Sequence, residues 1–149
     1  MTLQRLLGTE LPIIQALMAG GHRGLFQSAD LSTQVGTAYL LCPEATPSAV
    51  HRAALASDTA RHTALTNRFT GRPARAIVNC IMRELGPIGP AVPEFPLAVG
   101  AIAPLRAKAE SQGCGDFSPL WFGQNASGCR QVPAAELTRE WAATHQEAS

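Results

Sequence analysis

Charge of either sign is scarce in this sequence. Asp, Glu, Lys and Arg make up 15% of its 149 residues, against 46% hydrophobic, and the formal net charge is +1. The twelve basic residues are scattered, Arg72 and Arg75 among the denser pairs, so no nucleic-acid footprint is expected. The high apolar share excludes a disordered chain. An uninterrupted apolar run of about 18 residues is also lacking, so no membrane span is expected. The first 21 residues carry Arg5, Glu10 and Pro12 and lack the apolar block of a signal peptide. Cysteine pairs of the CxxC type are absent, which leaves zinc and redox motifs unsupported. Cys42, Cys80, Cys114 and Cys129 are then expected as free thiols in a reducing cytoplasm, and the sequon at Asn125-Ala126-Ser127 as a chance match.

What the sequence does contain is a set of short elements. Residues 11–18 (LPIIQALM) read as a buried strand of a parallel sheet, followed by a glycine loop at 20–24. Residues 32–41 (STQVGTAYLL) read as a strand that runs to Leu41 and bends at Gly36, because Thr33, Val35, Thr37 and Tyr39 favour strands. Residues 42–44 open a new element. An Ala-rich helix is expected over 49–64, capped by Thr46 or Ser48. A short strand or loop follows at 66–73, then a helix over 75–85 with Ile77, Ile81, Met82 and Leu85 on one face. The prolines at 87, 90, 93 and 96 exclude regular structure between 86 and 96. A helix is expected over 97–110 with Leu105 inward, a loop over 113–119, and an amphipathic helix over 133–144 with Leu137 and Trp141 four residues apart. Two strands alone cannot cover their own faces or edges, so the chain reads as part of a larger α/β fold.

A glycine followed by threonine at the end of a strand offers a bare backbone N–H and a hydroxyl, both suited to phosphate oxygens. This is the chemistry at Gly36-Thr37. The segments around it resemble the nitronate monooxygenase family, formerly called 2-nitropropane dioxygenases. LPIIQALMAGG (11–21) resembles that family's first barrel strand. QVGTAYLLCPEATPSAVHRAAL (34–55) resembles its last barrel strand and the helix after it. LTNRFTGRPARAIVNCIMREL (65–85), FPLAVGAIAPLRAKA (95–109), LWFGQNAS (120–127) and VPAAEL (132–137) resemble the segments that follow, in the family's order. The resemblance covers nearly the whole chain except residues 22–33.

The resemblance implies an FMN-dependent (β/α)8 barrel that oxidises alkyl nitronates with O2. It assigns the FMN phosphate to Gln34, Val35, Gly36 and Thr37, consistent with phosphate sites after the seventh and eighth strands of such barrels. It lays residues 16–19, with Met18, against the isoalloxazine, and matches Ala19, Gly20 and Gly21 to the family's glycine loop. A complete barrel needs about 250 residues, and here the first strand is followed almost at once by the last. The fold expected is therefore α/β, an incomplete TIM (β/α)8 barrel in a single partial FMN-binding domain over 1–149: first-strand segment 1–21, junction 22–33, last strand and helical part 34–149. The family's catalytic histidine lies in the missing middle, so no catalytic residue is assigned. Three readings stay open: an impaired nitronate monooxygenase, a non-catalytic remnant that at most binds the FMN phosphate, and a related flavin-dependent enoyl reductase-like barrel. The partners expected are a small nitronate and O2, with no nucleic acid and no membrane, and self-association through exposed strand edges.

Other residues invite function and have plainer readings. His22 in the glycine loop has no carboxylate partner nearby in sequence and reads as an exposed loop histidine. His51 and His62, eleven residues apart, read as surface positions. Arg72 and Arg75 read as solvated, Trp121 and Phe122 as core. Gln124 reads equally as a flavin contact or as turn chemistry.

Overall fold

The computed structural model describes residues 13–15, 33–123 and 129–147. Met18, Gly20, Gly21, His22, Gln124 and the sequon at 125–127 lie outside them. The described residues fall into two compact units. The first is built from residues 13–15, 33–46 and 129–147, the second from residues 47–123.

In the first unit, strands β1 (Ile13–Gln15) and β2 (Thr33–Val35) pair in parallel, with Ile13 opposite Thr33 and Gln15 opposite Val35. The expected strand over 32–41 is therefore cut short. β2 stops at Val35, Gly36 turns the chain at φ −132° and ψ −59°, and Thr37–Leu41 wind into a 3-10 turn. Strand propensity at Thr37 and Tyr39 yields to packing, because the wound turn buries Ala38, Tyr39, Leu41 and Cys42 together. Residues 42–44 form a turn and open no element. Helix α4 (Ala134–Glu147) lies alongside β1 and presses Leu137, fully buried, against Ala38, Tyr39 and Cys42.

In the second unit, Ser48 caps helix α1 (Ala49–Leu55) by accepting the His51 N–H at 3.4 Å. The helix does not reach residue 64. Ser57 accepts the Thr59 N–H and starts a separate 3-10 turn at Asp58–Arg61, so local hydroxyl chemistry ends the Ala-rich run. Strands β3 (Thr63–Thr66) and β4 (Ala74–Ile77) form an antiparallel hairpin. The expected helix over 75–85 is thereby split. Residues 74–77 are a strand because Ala76 and Ile77 are buried between β3 and the segment at Trp121, where Ile77 donates to the Leu120 carbonyl at 2.9 Å. Only Cys80–Leu85 is helical (α2), and Leu85 faces solvent at 59% exposure.

The 86–96 stretch is irregular, as its prolines require. Helix α3 spans Leu97–Glu110. Its inward residues are Ala98, Ile102 and Ala109, whereas Leu105 is about half exposed. The place expected for Leu105 is taken one position on by Arg106, which pairs with Glu110 at 2.8 Å. The core of this unit is Phe69, Ala76 and Met82, with Trp121 standing edge-on to Phe69 at 5.7 Å.

Candidate functional site

A parallel strand pair presents its binding edge where its strands end. Here the ends of β1 and β2 lie side by side, since Gln15 is opposite Val35. Gly36-Thr37 leaves that edge directly. Of the four residues assigned to phosphate, Gln34 and Val35 close β2, while Gly36 and Thr37 are half-buried at its exit.

The turn is held from behind. The Tyr39 N–H donates to the Gly36 carbonyl at 3.1 Å, and the Cys42 N–H to the Tyr39 carbonyl at 3.1 Å. The Cys129 thiol donates to the Thr37 carbonyl at 3.3 Å. Glu44 takes the Ala134 N–H on both carboxylate oxygens, at 3.1 Å each, and so satisfies a free donor at the start of α4. The Tyr39 hydroxyl lies 2.8 Å from Thr138 Oγ1, and Thr138 Oγ1 donates to the Ala134 carbonyl at 2.7 Å. A cleft of about 410 Å³ lies between the turn and α4, lined by Tyr39, Cys42, Glu44, Ala45, Ala134, Ala135 and Thr138. It touches none of residues 34–37, and Tyr39, Glu44 and Thr138 spend their polar atoms on one another or on α4. Burial pushes the Cys129 thiol up to about 11, with Cys42 adding to the rise. Such a thiol suits structure rather than nucleophilic chemistry.

The functional-looking residues of the second unit are engaged in structure. Arg72 lies over the Phe95 ring at 4.5 Å, so it is stacked rather than simply solvated. Arg75 donates to the Thr63 hydroxyl at 3.2 Å. Asn67 brackets Gly89, donating to its carbonyl at 2.9 Å and accepting its N–H at 3.1 Å. His51 is not a surface residue. It is half-buried, with Nε2 3.0 Å from the Trp121 carbonyl, and burial is the main cause holding its imidazole below the usual range. His62 is exposed, Phe122 is buried, and Trp121 is half-buried against Phe69, as expected of core aromatics. The four cysteines are free thiols. Among the described residues no group of His, Cys, Asp and Glu could hold a metal ion, and no helix is long and apolar enough to cross a membrane.

The ties behind the turn are absent from the sequence reading. Tyr39 and Thr138 stand 99 positions apart and belong to no short motif, and no periodicity links them. The only sequence signal was the Leu137/Trp141 stripe, which marks α4 as a helix with a face to bury.

Comparison with known proteins gives the site its context. The sequence profile of the family described as Nitronate monooxygenase matches residues 31–143. A nitronate monooxygenase of Pseudomonas aeruginosa is 38% identical over 133 residues, covering 87% of this chain and 38% of that protein. One from Paraburkholderia phytofirmans is 35% identical over 145 residues, covering 93% of this chain and 39% of that protein. The crystal structure of a nitroalkane oxidase from Streptomyces ansochromogenes matches with a TM-score of 0.70 and 39% identity, over 80% of this chain and 34% of that one. The chain therefore spans less than two fifths of the length of these relatives. With a family profile covering most of the sequence and relatives at this identity, the chain belongs to the nitronate monooxygenase family.

Proposed function

We propose that this chain carries the FMN-phosphate end of a nitronate-oxidising barrel, as a single partial domain of that incomplete (β/α)8 fold. The observation that supports this best is the glycine–threonine turn at the carboxyl edge of the parallel β1–β2 pair. The residues there suit a phosphate: Gly36 presents backbone without a side chain, and Thr37 adds a hydroxyl. Gln34 and Val35 hold the turn in the sheet. Met18 is assigned to the isoalloxazine side, and Gly20 and Gly21 to the family's glycine loop. FMN, when bound, supplies the electron acceptor for a nitronate and passes the electrons on to O2. The chain's own part is to bind and orient the cofactor. A proton-transfer residue is not assigned to it, so oxidation of a nitronate by this chain alone is weak. Among the described residues the β1–β2 sheet has two strands, and its edges are where a second copy could add.

The test is direct. The purified chain is mixed with FMN, passed over a desalting column, and its flavin absorbance recorded. Oxygen uptake is then followed with a propane or propionate nitronate. Retained FMN with oxygen uptake far below that of the full-length Pseudomonas aeruginosa relative is the expected result. A chain that retains no FMN would refute the cofactor assignment.

A further inference from the structure

The turn assigned to phosphate and helix α4 are far apart in sequence, yet three bonds tie them. The Cys129 thiol, in the segment leading into α4, holds the Thr37 carbonyl. Glu44 holds the Ala134 N–H. The third tie has a fixed direction. Thr138 has one hydroxyl proton, and it goes to the Ala134 carbonyl at 2.7 Å. Its oxygen must then accept, so the Tyr39 hydroxyl is the donor in the 2.8 Å contact. Tyr39 is 8% exposed and its own backbone N–H closes the turn onto the Gly36 carbonyl at 3.1 Å. Any rotation of the turn that re-aimed Gly36 and Thr37 would therefore drag the Tyr39 ring off Leu137 and break its bond to Thr138.

We propose that Tyr39 and Thr138 are positioning residues for the flavin phosphate, so that α4 belongs to the cofactor site although it supplies no group to it. This rests on the phosphate reading given above. The physical reason is pre-organisation: a loop already fixed in its binding geometry loses less entropy when the anion arrives. The proposal concerns the phosphate end alone, so it should show in the preference for FMN over riboflavin, which lacks the phosphate.

Dissociation constants for FMN and riboflavin are measured by quenching of flavin fluorescence on the full chain. Five chains are compared: unaltered, Tyr39→Phe, Thr138→Val, the double variant of these two, and Thr37→Val. Phe keeps the ring against Leu137 and removes only the hydroxyl, so folding is preserved. We expect Tyr39→Phe and Thr138→Val each to weaken FMN about 5- to 10-fold, the worth of one net hydrogen bond, and to leave riboflavin unchanged. The double variant should be no worse than Thr138→Val alone, because the bond Tyr39→Phe removes is already broken there. If Thr37→Val reduces the FMN preference while Tyr39→Phe and Thr138→Val do not, the positioning role is overturned and the phosphate reading stands. If Tyr39→Phe weakens both flavins equally, its role is structural only and the proposal fails. If Thr37→Val leaves the preference intact, or the unaltered chain binds neither flavin, the phosphate reading itself falls.

Discussion

Arg68 folds its guanidinium over Gly89. It donates from Nε to the Gly86 carbonyl at 2.8 Å and from Nη2 to the Leu85 carbonyl, so one side chain satisfies the last carbonyls of α2. A Cβ placed on Gly89 would meet Arg68 Nη2 at 2.4 Å. The end of the arginine side chain can give way to an added methyl, at the cost of its bonds to the two carbonyls. We expect Arg68→Ala and Gly89→Ala each to cost about 1–2 kcal/mol, the value of hydrogen bonds from a partly exposed charged donor. In the Arg68→Ala background Gly89→Ala should be close to neutral. Urea denaturation of the four members of this cycle checks it, and additive losses would break the link between the two residues.

Gly71 and Gly113 both have positive φ, at 84° and 73°, but differ in their surroundings. A Cβ on Gly71 would lie 2.5 Å from the Pro93 carbonyl oxygen and 2.7 Å from the Phe95 nitrogen, both backbone atoms. One on Gly113 would meet nothing within 4 Å. Gly113→Ala should therefore cost about 1–2 kcal/mol of left-handed strain alone. Gly71→Ala adds a clash that side-chain rotation cannot relieve, and a loss of more than about 3 kcal/mol is expected. Denaturation midpoints of the two variants measure the difference.

Acid should weaken the second unit through two groups. Burial, aided by the Arg106 charge, lowers the His51 pKa below 6.5, against the pull of the Trp121 carbonyl and Glu110. The Ser118 hydroxyl, then Arg106, lower that of Glu110 below 4.5. In each case the unfolded chain binds the proton more readily, so stability falls as pH falls. The His51 contribution is complete above pH 6.5 and lost as pH drops from there through the folded pKa. That of Glu110 is complete above 4.5 and lost below it. His51→Gln, whose amide can still donate to the Trp121 carbonyl, should flatten the first window and leave the second. Unfolding free energy measured between pH 8 and pH 3 would show both.

The Cys129 thiol should alkylate slowly. Its pKa of about 11, against the ordinary 9.0, leaves about 100-fold less thiolate at pH 8, and the thiolate is the nucleophile. Site-resolved mass spectrometry after iodoacetamide treatment should find Cys129 about 100-fold slower in the folded chain than in urea. Equal rates would mean that Cys129 is not buried in the folded chain in solution.

The two long helices were legible in the sequence for local reasons. Ala-rich spacing behind Pro96 fixes 97–110, and Leu137 with Trp141 marks the last helix. The cap was legible to within Thr46 or Ser48, because capping is settled within three residues, and it is Ser48. Residues 74–77 were misread because Ile77, Ile81 and Met82 carry a helical spacing. Pairing with β3 and Trp121 overrides it, and neither partner is a neighbour in sequence. The same limit applies at the candidate site. Gly36 and Thr37 stood out as residues, whereas the bond from Tyr39 to Thr138 is a tertiary fact. His51 was placed on the surface because nothing near it in sequence foretells the Trp121 carbonyl.

Glu44 and Ala134 meet across 90 positions. The first unit is thus written in instalments before and after the second, and cannot close until the chain has been synthesised well beyond residue 134. The residues of the second unit, in contrast, are nearly contiguous. On a ribosome the hairpin unit is expected to form while the Gly36-Thr37 turn still waits for its helix. Joining ends across 90 free residues costs about 4 kcal/mol of chain entropy, and that cost falls once the intervening stretch has folded. A premature stop after residue 128 would then spare the hairpin and remove the three bonds that Cys129, Ala134 and Thr138 make behind Gly36 and Thr37.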